Sequence, residues 1–209
     1  MTRETKVPLP TLERLATYLR YLNELESREM ETISSAAIEA ATGINAAQFR
    51  KDLSYFGEFG KAGIGYDVSE LTKRIAQILK TEHEQPVIMV GAGSLGSALV
   101  GYTGLRKHNF NIVAVFDNNY NKIGRQLWDL EIRDVNDLKK ANESLGARIA
   151  ILAVPAVAAQ RVTDMLVDAG VKVILNFAPT AIKAPAGVFV RNVCFIQELT
   201  VLSYYLDSE

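Results

Sequence analysis

The chain has 209 residues, 48% of them hydrophobic, and a formal net charge of −1. This length and composition suffice for the cores of two small domains, and no apolar run approaches the ~18 residues of a membrane span. The single cysteine, Cys194, excludes an internal disulfide, and the near-neutral charge gives no global reason to expect nucleic-acid binding. A cytoplasmic location is expected.

The first 80 residues predict a mainly helical domain. Thr11 is expected to cap a long amphipathic helix whose buried stripe is Leu12, Leu15, Ala16, Leu19, Leu22 and Leu25. Ser34 or Ser35 is expected to cap a second, short helix, which Gly43 ends before a third helix begins near Asn45 or Ala46. Two helices joined by a tight glycine turn form a helix-turn-helix.

The third helix has two chemically different faces. Phe49, Leu53 and Phe56 share the face that is expected to be buried, and the polar residues that then point outward are Gln48, Arg50, Lys51, Ser54 and Tyr55. Side chains of these types contact base edges and phosphates in a DNA major groove. Taken alone, the helix fits equally well as a solvated helix of a small three-helix unit.

The glycine-rich segment after the third helix, residues 57–68, alternates as a β-hairpin would. A hairpin with Lys61 near its tip can act as a wing that lies along a phosphate backbone or enters a minor groove. Ser69 is expected to cap a fourth helix that buries Leu71, Ile75, Ile78 and Leu79. Residues 1–80 carry 11 basic and 11 acidic side chains, which counts against strong non-specific DNA binding.

Residues 87–117 follow a polar linker at 81–86 and contain a glycine motif, Gly91-Ala92-Gly93-Ser94-Leu95-Gly96, between a buried-type strand and a helical pattern. This spacing is typical of dinucleotide sites, in which glycines allow a tight turn, close approach of a pyrophosphate and close helix packing. The helix beginning near Ser94 is expected to hold the phosphates. Asp117, 21 residues after Gly96, is expected to bind ribose hydroxyls and to favour NAD over NADP.

The remaining chain alternates helices and strands. Residues 118–129 predict an irregular crossover, 135–145 and 156–169 helices, and 148–154, 171–175 and 188–193 strands. The fold class is therefore α/β, with a doubly wound parallel sheet of Rossmann type. The ligand should lie at the carboxyl ends of its strands, near Val154, Pro155, Asn176, Phe177, Ala178 and Pro179. Residues 197–206 predict a helix apolar almost all round, which must pack deeply on its own domain or insert into a partner chain.

No catalytic group accompanies the glycine motif. His83 and His108 are expected at the surface, and the sequence has no spacing typical of a metal or acyl-transfer site. These absences favour a nucleotide sensor over an enzyme. Two alternatives are a small NAD-dependent oxidoreductase with an accessory helical domain and a CoA-binding module, although Asp117 counts against the 3′-phosphate of CoA.

Several long strings resemble the Rex family of redox-sensing transcriptional repressors, and the resemblance covers nearly the whole chain. The strings are T-Y-L-R at 17–20, Q-F-R-K-D-L-S-Y-F-G at 48–57, G-I-G-Y at 63–66, the glycine motif, V-P at 154–155 with A-Q at 159–160, and N-F-A-P at 176–179. On this reading, residues 1–80 form a winged helix-turn-helix domain, 81–86 a linker, 87–193 a Rossmann domain, and 194–209 a domain-swapped terminal helix.

The resemblance implies a homodimer that binds an inverted-repeat operator, senses the NADH to NAD+ ratio and leaves DNA when NADH binds. It implies that the terminal helix lodges between the two domains of the other subunit. The implied DNA contacts are Gln48, Arg50, Lys51, Ser54, Tyr55, Lys61, Gly63, Gly65 and Tyr66. The implied cofactor contacts are Gly91, Ala92, Gly93, Ser94, Leu95, Gly96, Tyr102, Asp117, Val154, Pro155, Asn176, Phe177, Ala178, Pro179 and Phe195; no metal is implied.

The chain departs from the family pattern at two positions. Ala62 stands where the family commonly has an arginine in the wing. Cys194 stands where the family usually has an aspartate, which would reach toward positions matched by Arg20 and Tyr102. A neutral cysteine neither pairs with Arg20 nor favours the positive nicotinamide ring of NAD+, so redox discrimination is expected to be weaker or carried differently. Cys194 itself fits either a small buried hydrophobe or a redox-reactive thiol.

Overall fold

A computed structural model describes residues 7–60 and 65–206, and its internal contacts divide the chain after His83 into two compact units. The division falls inside the segment 81–86, where composition predicts a linker. The two units are called the N-terminal and C-terminal units below. No helix in the described part of the chain is both long and apolar enough to cross a membrane.

The described residues of the N-terminal unit form four helices around one apolar core, with two short strands at its edge. In chain order the elements are α1 (Leu9–Glu26), β1 (Thr32–Ile33), α2 (Ser35–Thr42), α3 (Ala46–Ser54), β2 (Tyr66–Asp67) and α4 (Val68–Leu79). Strands β1 and β2 pair antiparallel. The most deeply buried core side chains are Leu15, Tyr18, Leu22, Ile38, Phe49, Val68 and Ile75.

One of the predicted helix caps is confirmed and two are wrong, and the third helix begins where it was predicted. Ser34 caps α2 by accepting a hydrogen bond from the backbone of Ala37, and Asn45 caps α3 in the same way from Ala47. Helix α1 instead begins at Leu9, because a proline fits in the first turn, and Thr11 lies buried inside the helix. Asp67, rather than Ser69, caps α4, since its carboxylate accepts from the backbone of Glu70 at 2.8 Å.

The core of α1 differs from the predicted stripe at two positions. Ala16 is exposed, and Tyr18 is fully buried. The ring of Tyr18 packs edge-on against Phe49, with centroids 4.9 Å apart, and its hydroxyl donates a hydrogen bond to Asp52. A tyrosine can be buried completely when its hydroxyl has such a partner, and periodicity of apolar residues does not reveal that partner.

The described part of the predicted wing contains one strand, β2, whose partner lies outside the predicted hairpin. Strand β2 pairs with β1, which precedes α2, and residues 57–60 form no strand. Arg74 of α4 holds this irregular segment, because its guanidinium donates to the carbonyl of Glu58 at 2.8 Å and lies 4.0 Å from the ring centroid of Phe59. Lys61, Ala62 and Gly63 lie outside the described residues.

The C-terminal unit is a seven-stranded sheet with helices on its faces, and residues 84–206 of it are described throughout. Its elements are β3 (Gln85–Val90), α5 (Ser94–Val100), α6 (Thr103–Lys107), β4 (Phe110–Asp117), β5 (Gln126–Leu127), β6 (Leu130–Asp134), a 3-10 turn (Val135–Asp137), α7 (Leu138–Leu145), β7 (Ile149–Leu152), α8 (Ala156–Asp168), β8 (Val173–Asn176), β9 (Phe189–Asn192) and α9 (Phe195–Ser203). The strand order is β5-β6-β4-β3-β7-β8-β9, with β5 antiparallel and the remaining strands parallel.

The chain order of the strands reverses beside β3, which pairs with β4 on one side and with β7 on the other. In open parallel sheets the crevice at the carboxyl ends of such strands is where ligands bind. Alternate residues of β3 face two different cores, since Ile88 and Val90 belong to one cluster and Val87 and Met89 to another. The doubly wound parallel sheet expected from the sequence is therefore confirmed.

Two segments of this unit differ from the sequence-based prediction. Residues 118–129, predicted as irregular, contain β5, and β6 follows and extends the parallel sheet beside β4. These strands are short and mostly polar, so they produce no apolar run. Helix α9 begins at Phe195, two residues before the predicted start, and its described side chains are all exposed in the single chain.

Candidate functional site

The turn between β3 and α5 is built so closely that two of its glycines cannot be replaced. Gly91 has a φ of +105°, and a Cβ there would overlap the carbonyl oxygen of Ala153. A Cβ on Gly96 would overlap the carbonyl oxygen of Gly91. The fold itself therefore requires glycine at both positions, one for the turn and one for helix packing.

Gly93 differs from these two glycines, because the fold does not require it. Its backbone is extended, with φ −80° and ψ −171°, and no described atom lies within 4 Å of the Cβ position. The open space lies on the loop at the carboxyl end of β3, where the strand order reverses. The absence of a side chain leaves the backbone open to close approach by a ligand, which is the role that the dinucleotide motif assigns to its second glycine.

Asp117 ends β4 and is held beside the glycine turn. One carboxylate oxygen accepts a hydrogen bond from the backbone of Ala92 at 2.8 Å, and the other accepts one from Asn119 at 2.9 Å. Burial raises the pKa of this carboxyl, but these backbone hydrogen bonds and Lys122 outweigh burial and hold the pKa below its usual value. Asp117 is therefore an ionised acceptor at neutral pH, as recognition of ribose hydroxyls requires.

Lys122 is a neighbour of Asp117 that the sequence analysis did not single out. Its ammonium lies 3.2 Å from a carboxylate oxygen of Asp117 and donates to the carbonyl of Ala92 at 3.1 Å. The lysine partly compensates the negative charge at the expected ribose position. In the sequence, this lysine is recognisable only by its position five residues after Asp117. The dinucleotide motif does not include a lysine at that position.

The N-F-A-P segment follows β8 and is shaped by Asn176. The amide of this fully buried side chain donates to the carbonyl of Thr180 and to the side chain of Asn192, and it accepts from the backbone of Ala178. All of these bonds are internal, so Asn176 shapes the loop instead of offering its amide to a ligand. The loop carries Phe177, which is half-buried, and Pro179, which is exposed.

The other predicted cofactor contacts lie at the same edge of the sheet or near it. Val154 is half-buried and Pro155 exposed, just beyond the end of β7. Phe195, at the start of α9, has its ring centroid 5.9 Å from that of Phe177. Tyr102 is 61% exposed between α5 and α6, and a Cβ on Gly104 would overlap its ring.

The predicted switch residues fall in different units. Arg20 is an exposed residue of α1 in the N-terminal unit, and Tyr102 and Cys194 belong to the C-terminal unit. Cys194 is half-buried and is the residue that precedes α9. The roles of these three residues in switching remain a prediction.

Helix α3 presents a polar, basic surface. Lys51, Ser54 and Tyr55 are exposed, and Arg50 is exposed with its guanidinium donating to the hydroxyl of Ser35 at 2.9 Å. Gln48 is the exception, because it is half-buried and its amide nitrogen donates to Asp52 at 2.8 Å. Gln48 is thus partly covered by its contact with Asp52, and its role as a DNA contact stays a prediction.

Asp52 is a fully buried carboxylate on the inner face of α3 that the sequence analysis missed. Arg14 of α1 donates two hydrogen bonds of 2.6 Å to it, and Tyr18 donates one of 3.0 Å. Burial raises its pKa, but hydrogen bonds from Arg14, Gln48 and Tyr18 outweigh burial and leave the pKa below its usual value. The helical spacing of Phe49, Asp52 and Phe56 was the available signal, since it places the aspartate on the apolar face.

The described part of the predicted wing packs on the domain core. Gly65 has a φ of +98°, and a Cβ there would lie 2.7 Å from the carbonyl oxygen of Ile33. The ring of Tyr66 is half-buried, with its centroid 5.2 Å from that of Phe49. These two predicted DNA contacts therefore have clear structural roles, and Lys61 and Gly63 lie in the segment that is not described.

The described residues hold no cluster of three or more metal-ligating side chains. His83 is exposed beside Glu82, and His108 is also exposed.

Both units match protein families. Residues 6–54 match a family described as a putative DNA-binding protein N-terminus, and residues 82–180 match one described as a CoA binding domain. The first covers α1, α2 and α3. The second covers the sheet from β3 to the N-F-A-P loop.

Full-length relatives identify the family. A redox-sensing transcriptional repressor Rex of Carboxydothermus hydrogenoformans is 45% identical over 204 residues, which is 98% of either chain. The chain belongs to the Rex family. A Rex repressor of Brevibacillus brevis is 43% identical over 99% of this chain. The family is one of transcriptional repressors, and this membership favours a repressor over the oxidoreductase alternative.

Solved Rex-family structures share the fold of the whole chain. A crystal structure of RSP, a Rex-family repressor, in complex with β-NAD+ and operator DNA matches with a TM-score of 0.91 and 37% identity, over 97% of this chain and 94% of RSP. RSP in complex with β-NADH matches with a TM-score of 0.86 and 36% identity, over 97% and 95% of the two chains. The Rex fold thus extends over both units.

Proposed function

We propose that this Rex-family repressor binds an inverted-repeat operator as a homodimer in the cytoplasm and is released from DNA when it binds NADH. The observation that carries the proposal is the open space at Gly93 beside the ionised Asp117, in a chain whose other unit presents the basic surface of α3. RSP, which shares the fold, was crystallised with NAD+, with NADH and with operator DNA.

At the nucleotide end, the glycine turn holds the pyrophosphate at Gly93 and Asp117 accepts from the ribose. Neither contact depends on the redox state of the nicotinamide, so they bind NAD+ and NADH alike. Discrimination must therefore come from the residues that meet the ring, for which we propose Tyr102, Phe195 and Cys194. The oxidised ring carries a positive charge that the reduced ring lacks, which gives these neighbours an electrostatic means of distinguishing the two.

At the DNA end, Arg50 and Lys51 supply the exposed positive charge of α3, and Ser54 and Tyr55 add exposed hydroxyl groups beside them. Lys61 and Gly63 of the wing complete the proposed contacts. Because residues 1–80 are neutral overall, two copies acting together on an inverted repeat give the affinity that one copy lacks.

The terminal helix supports the proposed dimer. Along α9 and just after it, large apolar side chains are 56% to 85% exposed in the single chain. Apolar surface of this extent is typical of a contact with another protein chain. We propose that α9 inserts into a second copy of the same chain, as a domain-swapped helix.

A gel-shift titration tests the proposal. The probe is an inverted-repeat duplex that the protein selects from a randomised pool. NADH is expected to abolish the shift at a much lower concentration than NAD+. A shift that persists at saturating NADH would contradict the proposal, and steady NADH consumption with any candidate substrate would favour the oxidoreductase alternative.

A further inference from the structure

The buried carboxylate of Asp52 lies where it can control a proposed base contact. It lies four positions after Gln48 on α3, and its Oδ1 atom accepts a hydrogen bond of 2.8 Å from Gln48 Nε2. The same oxygen accepts a 2.6 Å hydrogen bond from Arg14, and the other oxygen accepts from Arg14 and Tyr18. Asp52 is thus anchored to α1 on one side and bound to Gln48 on the other.

The charge of Asp52 determines which way the Gln48 amide points. An ionised carboxylate can only accept hydrogen bonds, so the atom of Gln48 that faces it must be the nitrogen and not the oxygen. The nitrogen carries two hydrogens, and Asp52 takes one. The second N–H remains available, and no partner within residues 7–60 and 65–206 bonds to Oε1.

The position of Gln48 in α3 suits contact with a base. It is the third residue of the helix, and recognition helices of helix-turn-helix proteins contact base edges with their N-terminal residues. An amide that presents one N–H and its oxygen together matches the N7 and N6 atoms of adenine in the major groove. A glutamine side chain held in place before binding also loses less conformational freedom at the DNA.

We propose that Asp52 is a positioning residue for sequence recognition, which fixes the amide of Gln48 so that it reads an adenine in each operator half-site. This inference rests on the proposed DNA-binding function and adds a source of its specificity. Asp52 acts through Gln48 and does not itself touch DNA.

The test measures base preference and not affinity alone. The probes are an inverted-repeat duplex selected from a randomised pool by the unaltered protein and all single base-pair substitutions of that duplex. We expect Gln48→Ala and Asp52→Asn each to lose about tenfold discrimination at the same A·T pair of each half-site. In the Gln48→Ala background, Asp52→Asn should cause no further loss at that pair.

Two matched variants separate positioning from general support of the fold. Tyr18→Phe removes a hydrogen bond to the same carboxylate but leaves the Gln48 contact in place, so it should keep the base preference. Lys51→Ala removes a proposed phosphate contact and should weaken binding by a similar factor for every duplex. The inference is overturned if Tyr18→Phe changes the base preference in the same way as Asp52→Asn. It is also overturned if Asp52→Asn weakens binding equally for all duplexes, or if it still changes the base preference in the Gln48→Ala background.

A second measurement does not depend on the variant folding. In the nitrogen-15 NMR spectrum of the unaltered protein, one side-chain amide proton of Gln48 should exchange slowly before DNA is added, and the other should shift on adding the selected duplex. Rapid exchange of both protons would overturn the inference. If the unaltered protein selects no duplex, the proposed function fails and the inference fails with it. If it selects a duplex but Asp52→Asn weakens binding to all substituted duplexes equally, the inference alone is overturned.

Discussion

At the scale of single residues, the three glycines of the turn have different roles. Steric overlap requires glycine at 91 and 96 whatever the protein binds, but the fold itself places no such demand on Gly93, which leaves room there for a ligand. The motif spacing predicts all three positions without distinguishing them. The structure identifies the one whose substitution should affect the ligand and spare the fold.

Gly93→Asp tests this difference. The residue precedes α5, where aspartate is favoured, so stability should stay the same or rise by about 0.5 kcal/mol. The side chain and its negative charge would enter the space assigned to the pyrophosphate. Calorimetry should show a loss of NADH affinity of about a hundredfold or more, corresponding to about 2.7 kcal/mol.

The matched control for this prediction is Ala186→Asp, which adds the same charge at an exposed turn of the same unit. It should leave NADH affinity unchanged. Wild-type NADH affinity in the folded Gly93→Asp protein would show that the ligand does not approach Gly93.

Cys194→Asp tests how the chain distinguishes the two redox states. Cys194 immediately precedes Phe195, whose ring contacts Phe177 of the loop after β8. A carboxylate there should attract the positive ring of NAD+ and so raise NAD+ affinity relative to NADH by about fivefold, or about 1 kcal/mol. Cys194→Ser serves as the uncharged control. An unchanged ratio of the two affinities by calorimetry would mean that this position does not sense the ring charge.

At the scale of elements, local sequence determined more of the fold than of the site. The periodic helices, the cap at Ser34, the start of α3 and the buried central strands were predictable, because each depends on neighbours in the sequence. Strands β1, β5 and β6 were missed because they are short and mostly polar. Their formation depends on pairing partners that periodicity does not reveal.

The buried network of α1 and α3 was unpredictable for a related reason. Arg14 and Asp52 are 38 residues apart, and their pairing depends on how the two helices pack. The acidic side chain therefore reads as part of a charged helix surface until its partners are known. The same contact explains why Gln48 is half-buried, although its position on the helix predicts exposure.

The depressed pKa of Asp52 predicts acid sensitivity of the N-terminal unit. The pKa of Asp52 is lower in the folded chain than in the unfolded chain, where the pKa of aspartate is about 3.9. The stabilisation is therefore complete above that pH and is lost as pH falls through the folded-state pKa. At pH 7, Asp52→Asn should lower the unfolding free energy by about 3 kcal/mol, because it leaves Arg14 without its ionic partner.

Denaturant titrations followed by circular dichroism and by hydrogen exchange in α1 and α3 measure this effect. The difference between the unaltered protein and Asp52→Asn should shrink as the pH is lowered below about 4. Glu24→Gln, an exposed change on α1, should cost less than about 0.5 kcal/mol at either pH. A difference that is independent of pH would show that Asp52 stabilises the unit by packing and not by its charge.

At the scale of the whole molecule, one chain combines a nucleotide cradle and a DNA-binding surface in separate units. A ligand shifts an equilibrium only by its different affinity for the two states. If NADH prefers the form that does not bind DNA by a hundredfold, each site contributes about 2.7 kcal/mol toward release. Two saturated sites in a dimer would then weaken operator binding by about ten-thousandfold.

The most direct test of the proposed coupling measures both affinities in both directions. Thermodynamic linkage requires that the factor by which NADH weakens operator binding equal the factor by which the operator weakens NADH binding. Fluorescence anisotropy of a labelled operator, with and without NADH, gives the first factor, and calorimetric NADH titration, with and without operator, gives the second. For NADH we predict that the two factors are equal and well above one. For NAD+ we predict that both factors are clearly smaller. An NADH affinity that is the same with and without operator would contradict the coupling.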